Sequence, residues 1–518
     1  MFKNHPKGLL QAALSNMGER FGYYIMNAVL ALFLCSKFGL SDSTSGIIAA
    51  LFLAAIYVMS LVGGIIADRT QNYQRTIESG LFIMALGYVA LSIPILATPE
   101  NNTGLLAFTI VALFVIAFGN GLFKGNLQAI VGQMYDDFEA QAAKESPERL
   151  KWAQGQRDAG FQIFYVFINV GALVAPFIAP LLRSWWLKHN GLVYNADLPK
   201  LCHEYISQTI DANGLQNLTK LCTEVGGNAA DLSNFCSQYL DVFNTGIHYS
   251  FIASVFMMVV SLIIFFTSKK MFPMPGKKVE AVVENYTDQE VIDMAGEIKQ
   301  RMYALFAVLV IGVFFWFSFH QNGQSLSFFA RDFVKTDAIP PEIWQAVNPL
   351  FVITLTPVIM WVFAYFTKIG KPISTPRKIA IGMLIAGIAF IFLMVISMTN
   401  NYPSAENFTS IEPTLRNTMK AGPWVLIVTY FFLTTAELFI SPLGLSFVSK
   451  VAPKNLQGLC QGLWLGSTAV GNMFLWIGPL IYNKYPIWIC WCVFAAVCFI
   501  SMAVMLGMVK WLERVTKS

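Results

Sequence analysis

Apolar runs long enough to cross a bilayer recur along this chain, at roughly 9–35, 45–66, 76–97, 104–134, 159–182, 248–268, 301–330, 343–366, 378–397, 422–444, 459–482 and 487–510. A hydrocarbon core about 30 Å thick takes about 20 predominantly apolar residues at the helical rise of about 1.5 Å per residue. Twelve such runs leave one fold class, an all-α polytopic membrane protein. Only 13% of the residues are charged and 56% are hydrophobic, against about 25% charged in soluble domains. The net charge of +5 is too small to argue for nucleic acid, so none is expected as a partner; the lipid bilayer is.

Placing the N-terminus inside assigns every loop to a side. Of the 35 Lys and Arg residues, 23 then fall in inside segments and 10 in outside segments, four of these in one long loop. The positive-inside rule puts both termini in the cytoplasm, and a multi-pass protein of a bacterial inner (cell) membrane is expected. The opening MFKNHPKG leads into a span broken by Glu19 and Arg20, unlike the unbroken apolar region of a cleavable signal peptide.

Two polar segments interrupt the short loops. Residues 183–247 form an outer insertion containing LCHEYI, LCTEVG and FCSQYL, which read as short helices. Its Cys202, Cys222 and Cys236 would give one disulfide and one leftover thiol in an oxidising space, with the pairing open. A lid, a docking surface for a partner and simple decoration are all compatible with it. Cys35, Cys460, Cys490, Cys492 and Cys498 lie in or beside apolar runs and read as fillers. Residues 269–300 form a basic-then-acidic cytoplasmic linker. The expected organisation is an N-terminal six-helix bundle over 1–268, this linker, and a C-terminal six-helix bundle over 301–518, as in carriers built from parallel repeats.

In the first run Asn16, Glu19, Arg20, Tyr23, Tyr24 and Asn27 follow spacings of three, four and seven, which puts them on one stripe of a helix. A charged side chain at bilayer depth costs about 2.5–3.5 kcal/mol even on insertion scales, so such a stripe faces a wet cavity or another polar helix. Function is favoured over a structural ion pair because two tyrosines extend the same face. An enzyme is not expected: there is no HExxH and no GxSxG, the deep ionisable groups are too few for a catalytic set, and neither a metal nor a cofactor is expected.

The sequence ERFGYY within this stripe resembles the glutamate-x-x-glutamate-arginine-phenylalanine-x-tyrosine-tyrosine motif of proton-dependent oligopeptide transporters, in the major facilitator superfamily. Further likenesses follow in order: GGIIADRTQNYQRTI (Gly63–Ile77, with Asp68 and Arg69), GNGLFKGN (Gly119–Asn126, with Lys124), FYVFINVGAL (Phe164–Leu173, with Tyr165 and Asn169), NPLF after Gln345, AELFISPLGLSFVSKVAP (Ala436–Pro453) and GLWLGSTAVGN (Gly462–Asn472). They cover nearly all of the chain except 183–247. The resemblance implies a major-facilitator-like fold and a secondary transporter that imports di- and tripeptides by proton symport, with the proton as coupling ion.

A peptide is a zwitterion and needs a cation, an anion and amide partners. Arg20 and Lys124 are the embedded cations, Glu437 is the embedded acid, and Asn169 and Asn348 can pair with the peptide backbone. Tyr23, Tyr24, Tyr57 and Trp464 would form the walls, with Asn27 on the same stripe. The resemblance implies that Lys124 holds the substrate carboxylate and Glu437 the amino terminus. Bland alternatives stand beside these. Lys124 could neutralise Glu19, Glu437 could cap a break at Ser441-Pro442, Asn169 and Asn348 could be interhelical glue, and Trp464 could be packing. Asp68 and Arg69 read as a gate latch.

Three departures from the family pattern matter. The first motif glutamate is Asn16, a basic position beyond the tyrosines is Asn27, and the seventh helix, FWFSFHQNGQSLSFFA (Phe315–Ala330), carries His320 before glutamine where the family has glutamate. Histidine titrates near neutrality, so His320 joins Glu19, Arg20 and Lys124 as a proton-coupling candidate and is also a substrate-contact candidate; a neutral packed ring is the alternative. The seventh-helix histidine of plant nitrate-transporting relatives keeps a symporter of nitrate or another small anion open. A proton-uncoupled peptide carrier and a substrate-sensing receptor are the remaining alternatives.

Overall fold

Within hydrocarbon each backbone N–H and C=O must be satisfied inside its own segment, and a helix does this. The computed structural model describes residues 4–516 other than 41, 99, 196, 274–287, 324, 336–345, 410, 412–414, 416, 417 and 454. Gln345 and the start of the eighth run lie outside the described residues. The regular structure of the described residues is helical, apart from one isolated bridge between Val334 and Ala421.

The first half comprises α1 (Leu9–Phe38), α2 (Asp42–Thr70), α3 (Tyr73–Ser92), α4 (Asn102–Glu145), α5 (Pro147–His189), the short α6 (Leu198–Ile206) and α7 (Ala212–Glu224), and α8 (Leu232–Thr267). The second comprises α9 (Asp288–Phe319), α10 (Ser325–Phe333), α11 (Val347–Lys368), α12 (Thr375–Thr399), α13 (Ala405–Thr409), α14 (Trp424–Val451), α15 (Gln457–Asn472), α16 (Ile477–Lys484) and α17 (Ile487–Val515). Among the described residues nine helices are long and apolar enough to span, and α1 makes a tenth if its arms Leu9–Leu30 and Leu32–Phe38, bent by 50°, count as one. The remaining crossings are α3, polar at its start with Arg75 and Glu78, and α15, whose 16 residues continue past a break into α16. Large apolar side chains such as Leu51, Leu181, Phe256, Trp361 and Ile500 stay exposed on the outside of the bundle, as lipid contact requires. This is an integral, multi-pass membrane protein with the major-facilitator architecture.

Several helices outrun the apolar stretches that define them. Helices α4 and α5 have 44 and 43 residues, so the segment between their apolar runs is a helical hairpin rather than a loop. It turns at Ser146, whose hydroxyl accepts from Arg149 N at 3.1 Å, with Pro147 opening α5. Proline suits that position because the first helical N–H has no partner anyway. In the insertion, LCHEYI lies in α6 and LCTE in α7, whereas FCSQYL belongs to the first turns of α8, which Asp231 caps by accepting from Asn234 N. The end of the linker is helical too, because α9 begins at Asp288.

Within the first half, α1 packs on α5 and α8, and α4 on α2 and α3; within the second, α12 packs on α14 and α17, and α9 on α15 and α17. The halves meet where α2 lies along α15 and where α5 lies along α11 and α14. Absent side chains make the first contact possible. A Cβ on Gly63 would sit 2.1 Å from Gly121 O, and one on Gly64 would sit 2.6 Å from Gly458 O, so α2 is wedged between α4 and α15. Small residues are what let membrane helices approach this closely.

Alternation of the spans puts the linker and both termini on one face and the insertion on the other. On the insertion face, α6 packs on α8 and against the outer end of α1. His203 donates from Nε2 to Ser36 O at 2.7 Å, beside Gly39, the left-handed C-cap of α1 at φ 67°. Burial lowers the His203 pKa below its ordinary 6.5. The undocked ring then takes up a proton first, so the docking free energy is full above about pH 6.5 and falls as pH drops through the depressed value. Hydrogen exchange of α6 amides, corrected for intrinsic rate, should show easier opening at pH 5 than at pH 7.5. His203→Gln should remove that difference; if the variant keeps it, His203 is not its source.

Candidate functional site

Helix α1 puts Glu19 and Arg20 at the interior of the first half, 0% and 4% exposed. Neighbours in a helix do not face each other, yet the long arginine stem folds back. Arg20 Nε and Nη2 each donate to a different oxygen of Glu19 at 2.5 Å, a bidentate pair. Asn120 on α4 adds a third donor, Nδ2 to Glu19 Oε1 at 2.6 Å. Asn120 lies inside the GNGLFKGN motif, where a lone amide in an apolar run is its only sequence signal.

Glu19 is thus held by Arg20 and Asn120 rather than by Lys124. The Lys124 ammonium, one turn along α4 from Asn120, lies over the Tyr57 ring at 5.3 Å. Among the described residues no carboxylate lies within ion-pair distance of it. The Arg20 guanidinium also sits over Tyr23, 4.5 Å from the ring centre, and Tyr23 packs edge-on against Tyr24 at 5.3 Å. Tyr24 is within electrostatic reach of Arg20, Glu19 and Glu437.

Glu437 projects from α14 and is 7% exposed. Tyr165 of α5 donates to its Oε1 at 2.5 Å and Asn348 of α11 to its Oε2 at 2.7 Å, while Asn348 also donates to Thr434 at 3.0 Å. Helix α14 runs on through Pro442, so Glu437 is not engaged at a helix break. Tyr165 is a partner not expected from sequence, since a tyrosine in a motif carries no label for which carboxylate it meets.

The other candidates are placed differently. Asn169 is buried and donates to Tyr165 O of its own helix at 3.1 Å. Asn27 is exposed. Trp464 is 3% exposed, its ring packed over Gly444 and edge-on to Trp316. His320 opens a 3-10 turn between α9 and α10; its Nδ1–H donates to Asn472 Oδ1 at 2.5 Å, and its ring stacks on Trp316 at 5.0 Å. Those partners belong to the second half. Asn16 is buried, and its Nδ2 finds no hydrogen-bond partner among the described residues.

The linker face carries a second polar set. Asp68 accepts from Gly458 N at 2.9 Å, Leu459 N at 2.7 Å and the Tyr73 hydroxyl, which makes it an anionic cap on α15 from the opposite half. Arg69, its neighbour, is exposed. Alongside, Asp158 of α5 takes Lys378 of α12 at 2.8 Å and Lys450 of α14 at 2.7 Å, with Ser446 and Thr375 donating to the same carboxylate. Arg157 pairs with Asp136 and Glu139 and donates to Ser449 O. Arg157, Lys378 and Lys450 enter the sequence reading only through the Lys/Arg loop count, and Asp158 not at all; long-range pairing has no local signature.

The first half carries the cations Arg20 and Lys124 in its interior and the second half the buried acid Glu437, and paired charges join the two halves at one end. A protein built this way is a secondary carrier. The chain belongs to the POT family, whose model matches residues 74–287 and 283–484. Among curated proteins it is 26% identical over 474 residues to dipeptide and tripeptide permease B of Edwardsiella piscicida, covering 89% of this chain and 84% of that one. It is 27% identical over 491 residues to a peptide transporter of Yersinia enterocolitica, covering 91% and 87%. Solved structures of a peptide transporter POT superpose with TM-scores of 0.60 with sulfate and 0.59 with alafosfalin. Each is 22% identical and covers 100% of this chain and 97% of that one; at that identity they show the fold.

Proposed function

We propose that the protein imports di- and tripeptides by proton symport with alternating access, in a bacterial inner membrane with the linker face cytoplasmic. One observation carries the reading: the first half carries the cations Arg20 and Lys124 over tyrosine rings, and the second half carries the buried acid Glu437. That division of charge between the halves suits a small zwitterion. The peptide-transporting relatives support the same substrate class, and the bias of Lys and Arg toward the linker face supports the orientation.

Lys124, which has no carboxylate partner among the described residues, takes the peptide carboxylate. The peptide ammonium takes Glu437, and in doing so competes with the Tyr165 hydroxyl and the Asn348 amide. Glu19 is the only acid of α1, with Asn16 in place of another, so the proton that matters most goes there. Protonated Glu19 no longer holds Arg20 as a bidentate ion pair, and the guanidinium becomes free for the substrate carboxylate. The proton is the coupling ion, and no other cofactor enters. The Asp68 and Asp158 contacts hold the cytoplasmic face closed and must part before release.

Uptake of a labelled dialanine into proteoliposomes tests this. The parent should concentrate it under an inward proton gradient. Glu19→Gln should lose gradient-driven accumulation by about tenfold or more while keeping peptide exchange, since about 1.4 kcal/mol of lost coupling is a factor of ten. His320→Ala in the same assay asks whether the second half contributes a proton site. Competition by nitrate but not by alanyl peptides would replace the substrate assignment with a small anion. Binding without flux would make the protein a receptor.

A further inference from the structure

A groove of about 550 Å³ opens on the lipid-facing side of the first half, between the linker-face ends of α3 and α8. Glu78, Ser79 and Phe82 line it from α3, and Leu262, Ile263 and Phe266 from α8. Phe82, Ile263 and Phe266 are each more than half exposed. Ser79 is exposed too, and its small side chain leaves room that a larger one would fill. The groove has two different ends. Toward the middle of the bilayer its walls continue over exposed Leu86 and Val89 on α3 and exposed Val259 and Phe256 on α8, at the spacings of three and four that keep residues on one helix face.

At the linker face the groove ends in charge. Lys269 Nζ lies 2.6 Å from Glu78 Oε1 and 4.9 Å from the centre of the Phe266 ring, so one ammonium touches both walls. Arg75 stands one turn before Glu78 on α3, and Lys270 follows Lys269; both are exposed. Neither pairs with a carboxylate among the described residues. Gln74 fixes this corner by donating from Nε2 to Pro273 O at 2.7 Å, which ties the exit of α8 to the start of α3.

We propose that this groove is a binding site for an anionic phospholipid of the linker-face leaflet. One acyl chain lies along Phe82 and Phe266, and the headgroup phosphate meets Arg75 and Lys270. The site is independent of what the carrier transports. Charge selects the class of lipid. Glu78 is the only acid in the lining, and Lys269 already neutralises it. The ammonium of a zwitterionic headgroup would therefore find only cations at this rim, whereas a headgroup of net negative charge finds two basic side chains without a carboxylate. Basic pockets between transmembrane helices are suited to such headgroups. A lipid seated here bridges α3 and α8 where the chain leaves for the linker, and so fastens the same corner as Gln74.

The full-length protein would be reconstituted in phosphatidylcholine vesicles holding a trace of phosphatidylglycerol with a diazirine in its acyl chain, irradiated, digested and mapped by mass spectrometry. A parallel sample carries the same diazirine on phosphatidylcholine. On residues 79–89 and 256–267 the anionic probe should label about threefold or more over the zwitterionic one; two basic side chains near an anionic headgroup are worth up to about thirtyfold. On the lipid-facing peptides of α12 and α17 the two probes should label equally, in the parent and in every variant, which verifies insertion and fold. Arg75→Gln with Lys270→Gln leaves the Lys269–Glu78 pair in place and should bring the ratio on α3 and α8 down to that of α12 and α17. Ser79→Trp fills the hollow and should lower labelling there by both probes about threefold or more. Equal labelling by the two probes in the parent, or a preference that survives in the double variant, would overturn the proposal. So would unchanged labelling in Ser79→Trp, since the lipid would then be attracted to the rim without entering the groove.

Discussion

Glu437→Gln should lower kcat/KM for a dipeptide with a free amine by about 100-fold or more. Removing one member of a buried, hydrogen-bonded charge pair costs about 2–5 kcal/mol, and each 1.4 kcal/mol is a factor of ten. Glutamine keeps the shape and can still accept from the Tyr165 hydroxyl, so the loss reports charge and not packing. Asn348 sharpens the reading. Its Nδ2 donates to Glu437 and Thr434 together, so in the variant it retains Thr434 and the α11–α14 contact persists. The control substrate is the N-acetyl form of the same dipeptide, which lacks the ammonium. Its transport, weak in the parent, should be no weaker in the variant. Equal loss for both substrates would mean that Glu437 organises the site without meeting the amine; no loss for either would remove it from binding.

The second large effect is expected far from the substrate. Asp158→Asn should shift the carrier toward states open on the linker face. Its carboxylate is shared by Lys378 and Lys450, whose side chains are 9% and 20% exposed. Taking it away leaves two ammonium groups partly buried and facing each other. Breaking a buried pair by removal of one partner costs about 3–5 kcal/mol, enough to move a two-state equilibrium by about 100-fold. Spin labels on the linker-face ends of α5 and α14 would read the change as a longer distance distribution. Removing the repulsion as well, in Asp158→Asn with Lys450→Met, should bring the distribution part of the way back. If it is unchanged in Asp158→Asn, other contacts hold that face, among them Arg157 on Ser449 O and the Asp68 cap on α15.

Spans were legible in the sequence for a simple physical reason: lipid forces apolar runs of fixed length onto helices. The same reasoning stops where lipid stops. Helix α4 continues past its apolar part to Glu145 and α8 starts at Leu232 in the insertion, because Ser146 and Asp231 cap helices in water, where hydropathy is silent. The buried polar residues were also legible, since each stands out against an apolar background. Who pairs with whom was not. Glu19 could be read with Lys124 or with Arg20, and the stem length of arginine, together with Asn120, favours the latter in the structure. Asp158 and Lys450 lie 292 residues apart, and nothing local marks them as partners. His320 stood out by residue type, but its tie to Asn472 depends on how the α9 and α15 ends converge.

The insertion also matters for how such a molecule could be seen. Most of the surface of this chain would be hidden in a detergent belt or nanodisc, which offers little contrast for aligning single-particle images. Helices α6 and α7 stand outside that belt on a firm base, with α6 seated on α1 and α8. An antibody fragment recognising the exposed side of α7 would provide a fiducial rigidly attached to the first half. Since α7 is remote in sequence from both the charged set of Arg20, Lys124 and Glu437 and the linker-face latch, the label need not block turnover. The tilt of the fragment relative to α12 and α17 would then register each rocking state directly in the image classes.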